Sequence, residues 1–124
     1  MMDDDNSAEY VFSIPGHVTK VFISGPMTGY PNWNHGVFND VAMQLRIFGF
    51  TVVNPAEFFD GDTTRRREEY MRESVIKLLN ETEMVVLLPG WADSSGALVE
   101  ASIAYELGYE LGELKFRKDL DEVL

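Results

Sequence analysis

Apolar residues fall along this chain in two rhythms, one belonging to strands and one to helices. Residues 18–24 (VTKVFIS) are rich in β-branched and aromatic side chains and predict a strand; 50–53 predict a second, closed by Asn54-Pro55. Met84 to Leu88 is apolar at every position, as a central strand covered on both faces must be. Between these runs the spacing changes. Val37, Phe38, Val41, Leu45 and Phe48 recur at threes and fours and predict an amphipathic helix over 35–48, stopped by Gly49. A second helix is expected over 66–80, with Tyr70, Met71, Ile76, Leu78 and Leu79 on its buried side and Asp62 or Thr63 as its cap. A third is expected over 96–107, ending at Gly108.

The ends carry weaker patterns. Residues 1–9 are polar and acidic and are expected to form a disordered tail. Residues 10–14 suit a short strand or simple packing against the body, 109–116 hold room for one more short strand, and 115–124 read as a charged end with a final half-helix. Strands alternating with helices imply right-handed βαβ units. The expected fold is therefore α/β: a single Rossmann-like or flavodoxin-like three-layer domain over 10–124, with a mostly parallel sheet of four to five strands. No internal repeat or linker interrupts it.

Charge and composition narrow the partners. The 124 residues carry 21 acids against 10 bases, for a net charge of -11. Such a surface repels a phosphate backbone, so a nucleic-acid polymer is not an expected partner. The dense basic run Arg65-Arg66-Arg67, with Arg72 beyond it, is surrounded by Asp60, Asp62, Glu68, Glu69 and Glu73. It suits a solvated helix start with i to i+4 pairing, or a single arginine reaching a small phosphate. Cysteine is absent, which excludes disulfides, thiolate chemistry and cysteine-based metal sites. His17 and His35 stand alone, so no metal site is expected. No stretch is long and apolar enough to span a bilayer and none resembles a secretory signal; a soluble cytoplasmic protein without membrane partners is the expectation.

Two loops carry the candidate chemistry. Ser24-Gly25-Pro26-Met27-Thr28-Gly29 runs from a strand towards a helix, with small residues that let a ligand approach the backbone and hydroxyls at Ser24 and Thr28. It lacks both the Gly-Lys-Ser/Thr ending of a P-loop and the dinucleotide glycine spacing. Pro89-Gly90-Trp91-Ala92-Asp93-Ser94-Ser95-Gly96 leads into the third helix. Its serines and glycine at a helix start suit a phosphate and equally suit N-capping. Trp91 is placed to cover a base or sugar, or to plug the core edge. Glu100 lies in the first turns of that helix, among Ala97, Ala101 and Ala104, at the carboxyl edge of the sheet where open α/β proteins hold their ligands. Glu106 sits nearer the helix end and reads as solvated. No Gly-x-Ser-x-Gly elbow supports a serine hydrolase.

Taken together, Ile23-Ser24-Gly25-Pro26-Met27-Thr28-Gly29, Val53-Asn54-Pro55, Leu88-Pro89-Gly90-Trp91 and the Gly96-x-x-x-Glu100-x-x-x-Ala104-x-x-x-Gly108 frame resemble the nucleoside 2-deoxyribosyltransferase superfamily. The likeness is to a small, often phage-borne branch with SGPMTG and LPGW motifs, and it covers residues 20–108. The resemblance implies cleavage of an N-glycosidic bond, or base exchange, through a covalent glycosyl-glutamate intermediate, without a cofactor. It places the nucleophile at Glu100. It also places Ser94 six residues ahead, where the family tends to carry serine for 5′-monophosphates and aspartate for free nucleosides. A 2′-deoxynucleoside 5′-monophosphate is the expected substrate. Ser24, Gly25, Ser94, Ser95 and Gly96 would cradle sugar and phosphate, Pro26 and Met27 would also bind substrate, and Asn32, Asn34 and Trp91 would contact base or sugar. The family's helix acid falls at Val75 when counted back from Glu83, so Glu73 is the nearest carboxylate, and Glu73 or Asp93 would move protons. The resemblance further implies a homodimer or higher homo-oligomer, with Tyr105, Tyr109 and the C-terminal helix contributing. A catalytically inactive nucleotide-binding module of the same fold is the alternative, and an interaction subunit a third.

Overall fold

The computed structural model describes residues 10–116. Four strands make a wholly parallel sheet: β2 (Lys20–Ser24), β3 (Thr51–Val53), β4 (Met84–Leu87) and β5 (Glu110–Glu113), in the order β3-β2-β4-β5. Helix α1 (His35–Ile47) links β2 to β3, α2 (Arg67–Glu81) links β3 to β4, and α3 (Ser95–Glu106) links β4 to β5. A separate antiparallel ribbon pairs β1 (Tyr10–Val11) with β6 (Lys115–Phe116), Tyr10 facing Phe116. The acidic tail expected over 1–9 and the greater part of the expected half-helix, 117–124, lie outside the described residues. Within that half-helix, Lys115 and Phe116 are in a strand.

Alternation along the central strands builds two cores. Val21 and Ile23 of β2, with Met84 and Val86 of β4, pack under Phe38, Val41, Ala42 and Leu45 of α1. Phe22, Val85 and Leu87 point the other way, onto Leu78 of α2 and Ala104 of α3. The result is the expected three-layer α/β arrangement, with α1 on one face and α2 and α3 on the other. Strand order reverses between β2 and β4, whose register sets Val21 against Met84 and Ser24 against Leu87. Chains leaving those two strands diverge to opposite faces, and a crevice opens between them.

The helices match their spacing to within a residue or two, with three corrections on α2 and its approach. Leu78 is buried as expected, but Ile76 and Leu79 are each 52% exposed, and the polar Ser74 is buried in their place. Asp62 does not cap α2; it accepts from the Thr64 amide at 2.8 Å, closing a local Asx turn. Arg66 holds the cap position with no side-chain cap bond. Among the described residues no helix is long and apolar enough to cross a membrane.

Candidate active site at the β2–β4 crevice

The two crevice loops meet because two positions lack side chains. A Cβ on Gly25 would stand 2.7 Å from Leu88 Cβ, inside any tolerable contact, so only glycine lets the chain after β2 lie against the chain after β4. Gly90 has φ +89°, and a side chain there would meet the Tyr30 hydroxyl at 2.7 Å. Gly25→Ala is expected to force these loops apart and to lower stability by about 1–3 kcal/mol, read as a fall in denaturant midpoint at unchanged slope.

Beyond the loops lies a cavity of about 780 Å³. One end is polar. Glu100 projects from α3 into it, yet the residue is only 7% exposed. Ser24, fully buried at the end of β2, donates its Oγ hydrogen to Glu100 Oε1 at 2.5 Å. Burial pushes the Glu100 carboxyl up to about 7, against the opposing pull of the Ser24 and Ser74 hydroxyls and the Arg67 charge. A carboxyl held at that point is ionisable near neutrality and costs little to desolvate further, which is what a group used in chemistry requires.

The start of α3 forms the adjoining wall. Ser94 caps it, its Oγ accepting from the Ala97 amide at 3.2 Å, while its carbonyl takes the Leu98 amide. The amides of Ser95 and Gly96 belong to the first turn, which a helix cannot satisfy from within. Arg67 reaches across from α2 and donates to Ser95 Oγ at 3.2 Å. The arginine run thus divides: Arg66 pairs with Glu69 on the surface, Arg65 pairs with Asp62 and Glu69 while also lining the cavity, and Arg67 lines the cavity beside Ser95. A guanidinium beside free helix amides is a site for an anion. The rest of the lining includes the apolar and aromatic side chains of Met27, Trp33, Phe38, Phe58, Tyr70 and Met71, the last lying close to Gly96. The Tyr70 hydroxyl is buried without a hydrogen-bond partner among the described residues.

Residues 19–112 match the family described as Domain of unknown function (DUF4406). The chain belongs to that family. Every cavity residue lies inside the DUF4406 match, whereas the β1–β6 ribbon lies outside it. No curated protein and no solved structure matches the chain.

Within this DUF4406 fold the expected residues separate into two groups. Gly25, Pro26, Met27, Asp93, Ser94, Ser95, Gly96 and Glu100 all line the cavity, and Ser24 lies directly beneath it, touching Glu100. Four do not line it. Glu73 faces a shallower groove and sits 3.8 Å from Lys77 Nζ. Trp91 packs on the core beneath α2 and α3. Asn34 is occupied in donating Nδ2 to the Pro26 carbonyl at 2.9 Å, and Asn32 lies in the same tight turn off the wall. Ser74, one position after Glu73, is the α2 residue that reaches Glu100. Tyr30, Trp33, His35, Tyr70 and Met71 also line the cavity without having been singled out as ligand contacts. The helical spacing Arg67, Tyr70, Ser74, Leu78 was the available signal for the α2 members, since it draws one stripe down the inward face. Among the described residues no cluster has the makings of a metal site.

Proposed function

We propose that this protein cleaves the N-glycosidic bond of a 2′-deoxynucleoside 5′-monophosphate, passing the sugar to water or to another base. The observation that carries this reading is the buried, Ser24-bonded Glu100 carboxyl at the strand switch point, with Arg67 and the α3 amides set beside it in one cavity. The resemblance to nucleoside 2-deoxyribosyltransferases supports the same assignment. Ionised Glu100 attacks the anomeric carbon, and the bond from that carbon to the base nitrogen breaks with its electron pair leaving on the base. Ser24 fixes the carboxylate plane. The departing base takes its proton from solvent, and Asp93, the expected carboxyl that remains in the cavity wall, is placed to relay it. Water or a second base then displaces Glu100 from the sugar. Arg67, Ser95 and Gly96 hold the 5′-phosphate, and the Tyr70 hydroxyl, which has no partner among the described residues, gives a substrate oxygen or nitrogen one.

Chromatography for free base tests this, with each deoxynucleoside and its 5′-monophosphate as substrate. Release is expected from the monophosphates and not from the nucleosides. Arg67→Met is expected to raise KM for the monophosphates roughly 10- to 100-fold, the worth of a charge-assisted pair. Equal release from nucleosides would overturn the phosphate assignment. The position of Glu73 outside the cavity favours one other reading, a nucleotide-binding module without turnover. Ligand-raised melting temperatures with no base released over hours would establish it.

A further inference from the structure

We infer that Trp33 is the stacking platform for the ligand's planar heteroaromatic base, so that the cavity divides into a polar end for sugar and phosphate and an aromatic rim for the base. This rests on the nucleotide reading above. The chain has two tryptophans, and they are differently employed. Trp91 packs against the core under α2 and α3, whereas Trp33 lines the cavity and remains 42% exposed.

The backbone around Trp33 is costly. Asn32, Trp33 and Asn34 have φ of 48°, 56° and 62°, three consecutive left-handed residues without a glycine among them. Asparagine tolerates that region; a bulky side chain does not. The turn is held from several sides, by Pro31 at its start, by the Trp33 amide on the Tyr30 carbonyl at 3.0 Å, and by Asn34 Nδ2 on the Pro26 carbonyl. Yet no residue of 31–34 is buried, so core packing does not repay the strain. A conformation maintained at a cleft without reward in burial is the mark of a residue placed for a ligand. Here it sets a large indole in the lining of the cavity that also holds Met27, Tyr30, Phe38 and Glu100. Stacking of this kind accepts any base, because every base has a π-face, and it distinguishes ligands that carry a base from those that do not.

The full chain carrying Trp91→Phe and Glu100→Gln retains Trp33 as its single tryptophan and does not turn over. It is titrated with dAMP, dGMP, dCMP, TMP and 2-deoxyribose 5-phosphate, following tryptophan emission and, separately, binding by equilibrium dialysis. All four nucleotides are expected to quench or shift Trp33 emission, while the base-free sugar phosphate binds and leaves it unchanged. Adding Trp33→Ala is expected to weaken the nucleotides roughly 5- to 100-fold and to spare the sugar phosphate; Trp33→Phe restores most of the loss. Nucleotides that bind in dialysis without altering Trp33 emission would overturn the stacking role and leave the nucleotide reading standing. Equal weakening of nucleotides and sugar phosphate by Trp33→Ala would assign Trp33 to structure alone. Absence of nucleotide binding in dialysis would overturn both.

Discussion

Glu100→Gln is expected to reduce base release by roughly 10³-fold or more, the scale of removing a covalent nucleophile, while the fold persists. Glutamine has the same shape but cannot form a glycosyl ester. Its side chain can still bond Ser24, whose hydroxyl accepts as readily as it donates. The neutral amide also spares the protein the burial of a charge, so above neutral pH the variant should melt at or above the wild-type temperature. Chromatographic rates and thermal melts on the two proteins check both halves. Retained turnover in the variant would remove Glu100 from the mechanism.

The second large effect is on pH, and its two faces run in opposite directions. Burial raises the Glu100 carboxyl to about 7 from its ordinary value of 4.5. Between those values the folded protein keeps a proton that the unfolded chain has released. The folded state therefore binds more protons there, and stability falls as pH rises from about 4.5 to 7. The full loss approaches about 3 kcal/mol, all of it developed above the higher value and none below the lower. Glu100→Gln is expected to flatten this slope in denaturant titrations taken at successive pH values. The rate constant kcat/KM should move the other way, climbing with a single-proton slope to a plateau above about 7 as the carboxylate forms. A rate that instead fell through this range would make Glu100 a proton donor. Arg67→Met should carry the midpoint upward, because the Arg67 charge holds the carboxyl down.

The sheet and helices were legible because burial on both faces leaves its mark in consecutive apolar residues, as in Met84–Leu87, and burial on one face leaves it in spacing, as in α1. Counting apolar residues could not decide which of them face inward on α2, where Ile76 and Leu79 are apolar and exposed while Ser74 is polar and buried. Nor did the sequence announce left-handed turns at Trp33, Phe59 and Asp60, since no glycine marks those positions. For the site, residues at strand ends were within reach: topology alone brings Ser24, Gly25, Ser94–Gly96 and Glu100 to one edge. Residues delivered from elsewhere were not. A step of one position around α2 exchanges Glu73, on the outside, for Ser74, against the carboxyl. Similarly, the choice between Trp91 and Trp33 is made by which loop curls inward, a tertiary matter.

The central pair of strands has a consequence for how the molecule comes into being. β2 and β4 stem from opposite halves of the chain, and Val21 finds Met84 only after a long loop has closed, at an entropic cost that precedes any return in contacts. During synthesis β2, α1 and β3 are available early, as a local βαβ unit. The crevice is not, for half of it hangs from β4. An unfinished chain therefore has neither the cavity nor the buried acid at its wall. Competence arrives late and all at once, when the second half of the chain threads itself beside the first.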